Sequence, residues 1–392
     1  MQVPFYRHGL RAGDAAAVAA VLDGPMLTSG AVGRAVEEEI AAFFEVPHAL
    51  LTNSWTNGAI ATLLALGIGP GDEVIVPAMT FVATANVVRL VGATPVFVDV
   101  DPETLLVTPD AVVAALNERT RAVIPVHIFG QMADMPALAA RLGPRGIHII
   151  EDAAHCFEGQ RAGARPGAYS DAAIFSFYAT KNITCGEGGA VITRDFGLAA
   201  RLRETRLHGM SAAAADRFQG GRYRHWDMVR LGTKANLPDL LAALLPAQIA
   251  RVEARRARRE TLARRYRDAF AGLPLRLPRW LPDCVHAHHL FPVAVAPAIR
   301  DTLLARLTGA GIGATVNYRA VPETAFYRKE LSPIDPEERF PDAVRWGRGT
   351  LSLPLYPDLG EREQDAVIAT LARLLQELDA AGARGSSPAR TT

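Results

Sequence analysis

Lysine is scarce in this 392-residue sequence, which carries 42 basic residues but only three lysines, Lys181, Lys234 and Lys329. Arginine has replaced lysine almost everywhere else. Because a guanidinium stays protonated and cannot form an imine, a position whose chemistry needs a primary amine must keep lysine. A search for an amine nucleophile therefore has three candidates.

Cysteine pairs, long apolar runs and an excess of charge are also missing. Three widely spaced cysteines without a CxxC pair argue against a disulfide framework and a zinc site. No apolar run approaches the ~18–20 residues that span a bilayer, and the first residues lack the pattern of a secretion signal. A net charge of +1 leaves no basic surplus for nucleic acid. We therefore expect a soluble cytoplasmic protein that binds neither membranes nor nucleic acids.

The arginine-rich stretch 251–267 is the segment that most resembles a nucleic-acid site. Acidic residues interrupt it, and apolar residues recur at helical spacing, so the pattern predicts a solvated amphipathic helix. The acidic residues are Glu253, Glu260 and Asp268, and the apolar positions are Ile249, Val252, Leu262, Tyr266 and Phe270.

Short β-rich runs alternate with helical stretches between Val46 and Ile192. This alternation predicts an α/β fold, with a mainly parallel sheet covered by helices. The runs are EVIVP (73–77), TPVFVDVD (94–101), RAVIPVHIFG (121–130), GIHIIEDAA (146–154), DAAIFSFY (171–178) and GAVIT (189–193).

A chain of this length suits two domains, because single cores stop growing near ~250–300 residues. We expect a large domain over 1–245 and a smaller α+β domain over 246–380, which begins with a linking helix. The smaller domain contains predicted strands at 288–295 and 314–318. The polar tail, 381–392, is expected to be disordered.

Two of the predicted strands lead into residues that carry chemistry. The run 146–154 contains Asp152 and is followed by His155, and Lys181 lies just beyond the run 171–178. Ligands bind at the carboxyl ends of strands in open α/β sheets, so these side chains are placed at a site mouth. The alternatives are that Asp152 caps the following helix and that Lys181 is a surface lysine.

An aspartate and a lysine at adjoining strand ends meet two demands of pyridoxal 5'-phosphate (PLP). The amine holds the aldehyde as an imine, and the carboxylate keeps the pyridine nitrogen protonated. The segment LLTNSWTNGAI (50–60) offers hydroxyl and amide residues at a helix start, where free N–H groups and the helix dipole favour a phosphate. Ser54 and Thr56 have the alternative role of helix N-caps.

Several segments occur together in an order that is typical of one known family. They are GDEVIVPAMTFVATANVV (71–88), EDAAH (151–155), FSFYATKNITCGEGGAVIT (175–193), NLPDL (236–240), HAHHLF (286–291) and LSLPLYPD (351–358). Together they resemble the DegT/StrS family of PLP-dependent sugar aminotransferases, from about residue 4 to about residue 375. The resemblance implies the fold type I, aspartate-aminotransferase-like architecture and PLP as the cofactor.

The resemblance also implies roles for individual residues. Lys181 would hold the cofactor as a Schiff base and move the proton between the substrate carbon and the cofactor. Asp152 would pair with the pyridinium nitrogen, and His155 would contact the phenolic oxygen in place of a glutamine or histidine. Phe81 would stack on the ring face, and its alternative role is ordinary core packing.

The phosphate would be held by Trp55, Thr56 and Ser176, together with Asn236 of the partner subunit. That last contact implies a homodimer with shared active sites. Trp55 departs from the family pattern, because many relatives carry glycine or alanine there. Its indole is therefore expected to point away from the phosphate or to form part of the substrate pocket.

The activity implied by the resemblance is a ping-pong transamination through an internal aldimine on Lys181, with L-glutamate as donor and a nucleotide-linked keto-sugar as acceptor. KNITCGEGG (181–189) resembles enzymes that aminate C4 more than those acting at C3, whereas Asn317 replaces a histidine of the 4-keto-pentose enzymes. An aminocyclitol aminotransferase and, less favoured, a non-enzymatic PLP-binding regulator are alternatives. A related dehydratase would have histidine at position 181, and a desulfurase-like lyase would need a loop cysteine, unlike Cys156 and Cys185.

A histidine cluster, His286, His288 and His289, has the spacing of metal ligands but no accompanying carboxylate or cysteine set. Alternation places His286 and His288 on one face of an extended segment and His289 on the other. We therefore expect an edge strand near the pocket and no metal.

Overall fold

The computed structural model of the chain describes residues 1–211, 218–219, 222–223 and 225–385. The strands are β1 (His48–Thr52), β2 (Glu73–Pro77), β3 (Thr94–Val98), β4 (Thr120–Val123), β5 (His148–Asp152), β6 (Gln160–Arg161), β7 (Ala172–Ser176), β8 (Gly189–Thr193), β9 (Phe218–Gln219), β10 (Arg222–Tyr223), β11 (Cys284–Val285), β12 (Phe291–Ala294) and β13 (Thr350–Leu353).

Helices follow most of the central strands. They are α1 (Ala12–Leu22), α2 (Ala31–Phe43), α3 (Trp55–Ala65), α4 (Ala83–Leu90), α5 (Pro109–Ala114), α6 (Met135–Leu142), α7 (Phe196–Thr205), α8 (Asp239–Ala242), α9 (Pro246–Ile249), α10 (Val252–Ala269), α11 (Pro297–Gly309), α12 (Ala325–Glu330), α13 (Pro336–Arg339), α14 (Pro341–Gly349) and α15 (Glu361–Gly385). Among the described residues, no helix is both long and apolar enough to cross a membrane.

The central sheet has seven strands in the order β1-β8-β7-β5-β4-β2-β3. The pairs from β3 through β7 are parallel, whereas β8 is antiparallel to both β7 and β1. Strands such as β2 and β8 are buried along their whole length, which explains their continuous apolar sequence, since helices cover both faces. The predicted α/β fold with a mainly parallel sheet is confirmed.

The carboxyl ends of β5 and β7 lie side by side, because Asp152 is in register with Ile174. The loop that carries Lys181 leaves β7 at this same edge. Next to it, β8 begins with Gly189, where a Cβ atom would lie 2.7 Å from the Phe175 carbonyl oxygen and 2.8 Å from the Trp55 nitrogen. Glycine at this position therefore allows the start of α3 to approach the same edge.

A second apolar core forms where β12 and β13 pair and α10, α11 and α15 pack around them. The predicted strand at 314–318 is wrong. Thr315 exchanges two backbone hydrogen bonds with Ser352, and the chain then leaves the edge of β13. The predicted strand at 288–295 is shorter than expected, because His288 has a φ of 48° and β12 starts only at Phe291.

The predicted amphipathic helix 251–267 corresponds to α10. The five expected apolar residues are all buried, although Ile249 ends α9 and Phe270 follows the last residue of α10. One arginine of this predicted solvated amphipathic helix is buried. Arg259 is only 2% exposed and forms an ion pair with Glu158, which is 0% exposed. Position 259 lies seven residues after Val252, so it shares the buried face of the helix.

The division at residue 245 stays a prediction, and α10 begins shortly after it. The predicted disordered tail, 381–392, falls mostly outside the described residues. Helix α15 continues to Gly385, and residues 386–392 are not described.

Candidate active site

A cavity of about 580 Å³ opens at the carboxyl edge of the sheet, a volume typical of small-molecule sites. Seven of the eight site residues expected from the sequence line it. They are Trp55, Thr56, Phe81, Asp152, His155, Ser176 and Lys181. The eighth, Asn236, lies elsewhere.

Lys181 is the only one of the three lysines that lines this cavity. Lys234 pairs with Leu207 through a β-bridge, and Lys329 lies on α12. Burial lowers the pKa of the Lys181 amine from 10.5 to about 8, and the charge of Asp152 opposes this shift. A primary amine with a pKa near neutrality can act both as a nucleophile and as a proton shuttle.

Asp152 is the last residue of β5, and its carboxylate is held by two donors. The Thr84 hydroxyl donates to Oδ2 at 2.9 Å, and the Ala154 backbone N–H donates to Oδ1 at 3.2 Å. No helix starts directly after Asp152, so the helix-cap alternative is wrong. Burial raises the pKa of this carboxyl, whereas the two hydrogen bonds and the charge on Lys181 lower it. A buried carboxyl of this kind is suited to sharing a proton with a ring nitrogen.

Thr84 is a site residue that the sequence did not single out. It lies on the first turn of α4, three residues after Phe81, and its hydroxyl is also 2.8 Å from that of Thr80. Since an ionised carboxylate only accepts, Thr84 uses its proton for Asp152 and must accept from Thr80. Phe81 precedes the helix, so no helical spacing in the sequence pointed to Thr84.

His155 is held in one tautomer by its neighbours. Its Nδ1 accepts from the Phe129 backbone N–H at 3.1 Å, so the neutral ring carries its proton on Nε2. Nε2 lies 3.1 Å from the Tyr318 hydroxyl. Burial and the nearby charge of Lys181 lower the pKa of His155 well below 6.5, which keeps the ring neutral. Phe129 has a φ of 60°, an unusual conformation for a bulky residue that aims its N–H at this histidine.

Tyr318 is a second residue that the sequence did not identify. The chain leaves β13 after Thr315 and brings the Tyr318 ring to the cavity wall, parallel to His155. Burial raises the pKa of its hydroxyl well above 10, so the group stays protonated. The sequence pointed to Tyr318 only through its neighbour Asn317, which replaces a histidine of the 4-keto-pentose enzymes.

The start of α3 forms the anion-binding side of the cavity. Ser54 is the N-cap, accepting from the Asn57 N–H at 3.0 Å, so the N-cap alternative holds for Ser54. The N–H groups of Trp55 and Thr56 open the helix and have no intrahelical acceptor. The Thr56 and Ser176 hydroxyls belong to the same wall. The Trp55 indole is 5% exposed and packs in the main core, and its Nε1 has no partner among the described residues.

Phe81 lies on the cavity wall with 54% of its surface exposed, so the core-packing alternative for this residue is wrong. Its ring centroid is 5.7 Å from that of Tyr318, in a tilted arrangement. An exposed aromatic face beside a cavity is available to stack on a planar ring.

Asn236 is outside the cavity, in a separate depression next to Ser29 and Arg206. Its Nδ2 donates to Ser29 Oγ at 2.6 Å, and its buried Oδ1 has no hydrogen-bond partner in the described part of the chain. Within one chain, Asn236 therefore does not join the other seven residues.

The histidine cluster is divided between two sites. The His286 and His288 rings stack with centroids 4.2 Å apart, and His288 Nε2 lies 2.6 Å from Glu260. His289 instead lines the cavity, with Nε2 3.5 Å from Lys181 Nζ. The expected edge strand is absent from 286–290, since β12 begins at Phe291.

The donor set fits PLP. A helix start with two hydroxyls suits a phosphate, a buried carboxyl suits a pyridinium, a neutral imidazole N–H suits a phenolate, and an amine of low pKa suits an aldehyde. These groups come from three different segments of the chain, and they converge on one cavity.

A family model of the DegT/DnrJ/EryC1/StrS aminotransferases matches residues 10–372. The chain belongs to this family. Among solved structures, DesV of S. venezuelae is 36% identical over 96% of this chain and 99% of its own, with a TM-score of 0.87. Spr1654 of Streptococcus pneumoniae in its PLP form is 26% identical, covering 96% of this chain and 100% of its own, with a TM-score of 0.89.

A third similar structure is Helicobacter pylori PseC, an aminotransferase involved in the biosynthesis of pseudoaminic acid. It is 25% identical and covers 96% of this chain and 100% of its own, with a TM-score of 0.88. Membership makes the chain a PLP-dependent aminotransferase of fold type I, so these expectations are confirmed. Burial raises the pKa of Cys185 to about 12 and that of Cys156 well above 9, so both thiols stay protonated. This argues further against the desulfurase alternative, which needs a reactive thiolate.

Proposed function

We propose that this aminotransferase moves an amino group from L-glutamate to C4 of a nucleotide-linked keto-sugar in two half-reactions. The observation that carries the proposal is the Lys181 amine, with a pKa of about 8, beside the buried Asp152 carboxyl in a single cavity. When bound, PLP supplies an electron sink and a carrier for the amino group. The residues of the chain bind and orient the cofactor and move protons at the reacting atoms.

Lys181 Nζ is the proposed attachment point and proton shuttle. In each half-reaction it would take a proton from one carbon and return it to another, which requires a pKa near the working pH. Asp152, held by Thr84, would share a proton with the ring nitrogen. His155 would redirect its Nε2–H from the Tyr318 hydroxyl to the phenolic oxygen, with the Phe129 N–H fixing the tautomer. Trp55, Thr56 and Ser176 would hold the phosphate.

A sugar acceptor is supported by the mouth of the cavity. Phe81 and Tyr178 line it with 54% and 45% of their surfaces exposed, and exposed aromatic faces suit the apolar faces of sugar rings. The segment 181–189 and the stretch 71–88 resemble UDP-4-amino-4-deoxy-L-arabinose synthases, which supports C4. Asn317 replaces a histidine of those enzymes, so the proposal is C4 of a keto-sugar rather than specifically a pentose.

A homodimer with shared sites is part of the proposal. Of the described residues, no arginine lines the cavity, although the donor carboxylates and a nucleotide diphosphate both need cations. Asn236 lies outside its own cavity, and its Oδ1 has no partner among the described residues. A second copy would bring Asn236 of the partner subunit to the phosphate and close the open side of the site.

The test is to record the absorption spectrum of the purified protein with and without L-glutamate. We expect a yellow band that bleaches as the cofactor takes the amino group, and that returns when the correct nucleotide keto-sugar is added. Carbon-resolved NMR of the product assigns C4 or C3. A colourless protein that PLP cannot reconstitute, or a Lys181→Ala variant with full turnover, would sink the proposal.

Shared sites are tested by mixing the inactive Lys181→Ala variant with Asn236→Ala, which should be weakened by the loss of a phosphate contact, under conditions that exchange subunits. A mixed dimer would hold one intact site, because Lys181 of one chain meets Asn236 of the other, so about one quarter of the sites should recover. Mixing Lys181→Ala with Asp152→Ala is the control, since both residues belong to the same chain's site and no intact site can form. Recovery in neither mixture would contradict the sharing of Asn236.

A further inference from the structure

A line of polar side chains runs from Lys181 away from the cavity into the protein. Lys181 Nζ is 3.5 Å from His289 Nε2, and His289 Nδ1 is 3.3 Å from Asn182 Oδ1. Asn182 Nδ2 then donates to Glu158 Oε1 at 2.8 Å, and Glu158 is paired with Arg259. None of the four residues beyond Lys181 has a part in the proposed function.

The orientation of the Asn182 amide follows from its partners. One end of the amide faces both the Glu158 carboxylate and the Ala287 carbonyl oxygen, at 2.8 and 3.1 Å. Both of those groups only accept hydrogen bonds, so this end must be the NH₂ group. Oδ1, an acceptor, is consequently the atom that faces His289.

The amide orientation in turn fixes the tautomer of His289. Because Asn182 Oδ1 only accepts, the ring carries its proton on Nδ1 and presents the lone pair of Nε2 to Lys181. Burial, with the charges of Lys181, His155 and Arg259, lowers the pKa of His289 well below 6.5. The ring is therefore a neutral acceptor throughout the neutral pH range.

The position of His289 is fixed from two further directions. Its backbone N–H donates to the Phe129 carbonyl oxygen at 3.0 Å, and Arg259 Nε donates to the carbonyl oxygen of Ala287 at 3.1 Å. A buried arginine–glutamate pair is costly to desolvate, so its presence is weak evidence of a purely stabilising role. Here Glu158 holds the Asn182 amide that orients His289, and Arg259 holds the backbone carbonyl of Ala287, two residues before His289.

We propose that His289 is a positioning residue for the Lys181 amine, accepting a hydrogen bond from Nζ through a tautomer that Asn182, Glu158 and Arg259 hold in place. The groups that face Lys181 are then the Asp152 carboxylate and two neutral rings, His155 and His289. As an acceptor, His289 stabilises the ammonium form of Lys181 and offsets part of the lowering of its pKa by burial. It thereby keeps the amine able to take up and release a proton at working pH.

The test reads the amine directly in the full-length, cofactor-free protein. Competitive labelling of lysines across about pH 6 to 11, resolved by peptide mass spectrometry, gives the pKa of each. The sequence has only three lysines, so Lys234 and Lys329 are controls within every sample. In His289→Phe we expect the pKa of Lys181 to fall by about one unit, because a hydrogen bond to a charged group is lost.

Three further variants separate positioning from packing. His286→Phe makes the same substitution in a neighbouring buried histidine that does not contact Lys181, and it should leave the pKa of Lys181 unchanged. Asn182→Ala should lower the pKa of Lys181, because the His289 ring can then carry its proton on Nε2 and no longer accepts from the amine. The double variant His289→Phe/Asn182→Ala should lower it no further than His289→Phe alone. His289→Gln, which keeps an acceptor, should remain closer to the wild type.

A Lys181 titration unchanged in His289→Phe, or equally changed in His286→Phe, would overturn the inference. If His289→Phe does not fold, an unchanged titration in Asn182→Ala overturns it instead. The inference rests on the proposed role of Lys181. Because labelling needs neither cofactor nor substrate, its failure is distinguishable from the failure of the proposed function.

Discussion

Thr84→Val is the substitution that most directly tests how the chain holds the cofactor's ring nitrogen. Valine has nearly the shape of threonine but cannot donate to Asp152 Oδ2, which accepts from Thr84 at 2.9 Å. Thr84 is 1% exposed and Asp152 is 5% exposed, so water does not readily replace the lost donor. The pKa of Asp152 rises further, because burial is then opposed by one hydrogen bond fewer.

The size of the effect follows from the strength of a hydrogen bond to a buried charge, roughly 1.5–3 kcal/mol. Each 1.36 kcal/mol is a factor of ten in rate, so the upper limit for the half-reaction is a loss of about 10-fold to 150-fold. A more basic Asp152 draws the shared proton away from the ring nitrogen and weakens the electron sink. We expect a fall of about tenfold, at the lower end of this limit, in the rate at which L-glutamate bleaches the yellow band.

The matched control is Thr80→Val, which makes the same change one hydrogen bond further away. The Thr80 hydroxyl donates to Thr84 at 2.8 Å and leaves the donation from Thr84 to Asp152 intact. We expect a loss below about threefold for this variant. Stopped-flow absorption with unfolding midpoints measured alongside separates chemistry from folding. Equal rates for Thr84→Val and the wild type, or equal losses in the two variants, would refute the reasoning.

Two further predictions concern Lys181 and the buried ion pair. The rate at which cofactor-free protein captures PLP should rise with pH through about 8 and then level off, because only the unprotonated Lys181 amine reacts. A flat visible-absorption profile over about pH 7 to 9 would contradict this. Arg259→Met should lower the free energy of unfolding by about 3–5 kcal/mol, because it leaves Glu158 charged and unpaired. Burial raises the pKa of folded Glu158 above that of the unfolded chain, so the deficit in urea titrations should be smallest at acidic pH, where the carboxyl is protonated in both states. The deficit should grow as pH rises through the raised pKa. Adding Glu158→Gln should recover part of the loss at neutral pH.

The sheet was predictable because its strands carry their own signal. EVIVP and GAVIT correspond residue for residue to β2 and β8, since a strand covered on both faces is apolar throughout. The end of β5 at Asp152 and the placement of Lys181 beyond β7 follow from the same pattern. The segment 314–318 has equally β-rich composition but only one paired residue, Thr315. Pairing depends on what lies beside a strand, which composition does not encode.

The residues that the sequence did not reveal all act through other residues. Thr84 holds a carboxyl, Tyr318 lies against His155, and His289 faces Lys181 from a segment more than 100 positions later. Each is of a residue type that is common in cores and loops. They matter only because separate parts of the chain come together at one cavity, and local sequence periodicity does not predict those long-range contacts.

The scarcity of lysine has a physical counterpart in the two buried cations of this region. Burial lowers the pKa of Lys181 to about 8, which a proton shuttle requires. Burial lowers the pKa of Arg259 as well, but from 12.5, so its guanidinium remains charged beside Glu158. A lysine at position 259 would meet the same desolvation from a lower starting value, and it would lack the planar fork that reaches both Glu158 and the Ala287 carbonyl. Arginine therefore suits position 259, where the side chain must stay charged, and lysine suits position 181, where the amine must lose its proton. Arg259→Lys should weaken the anchoring of His289, and the labelling profile of Lys181 would report it.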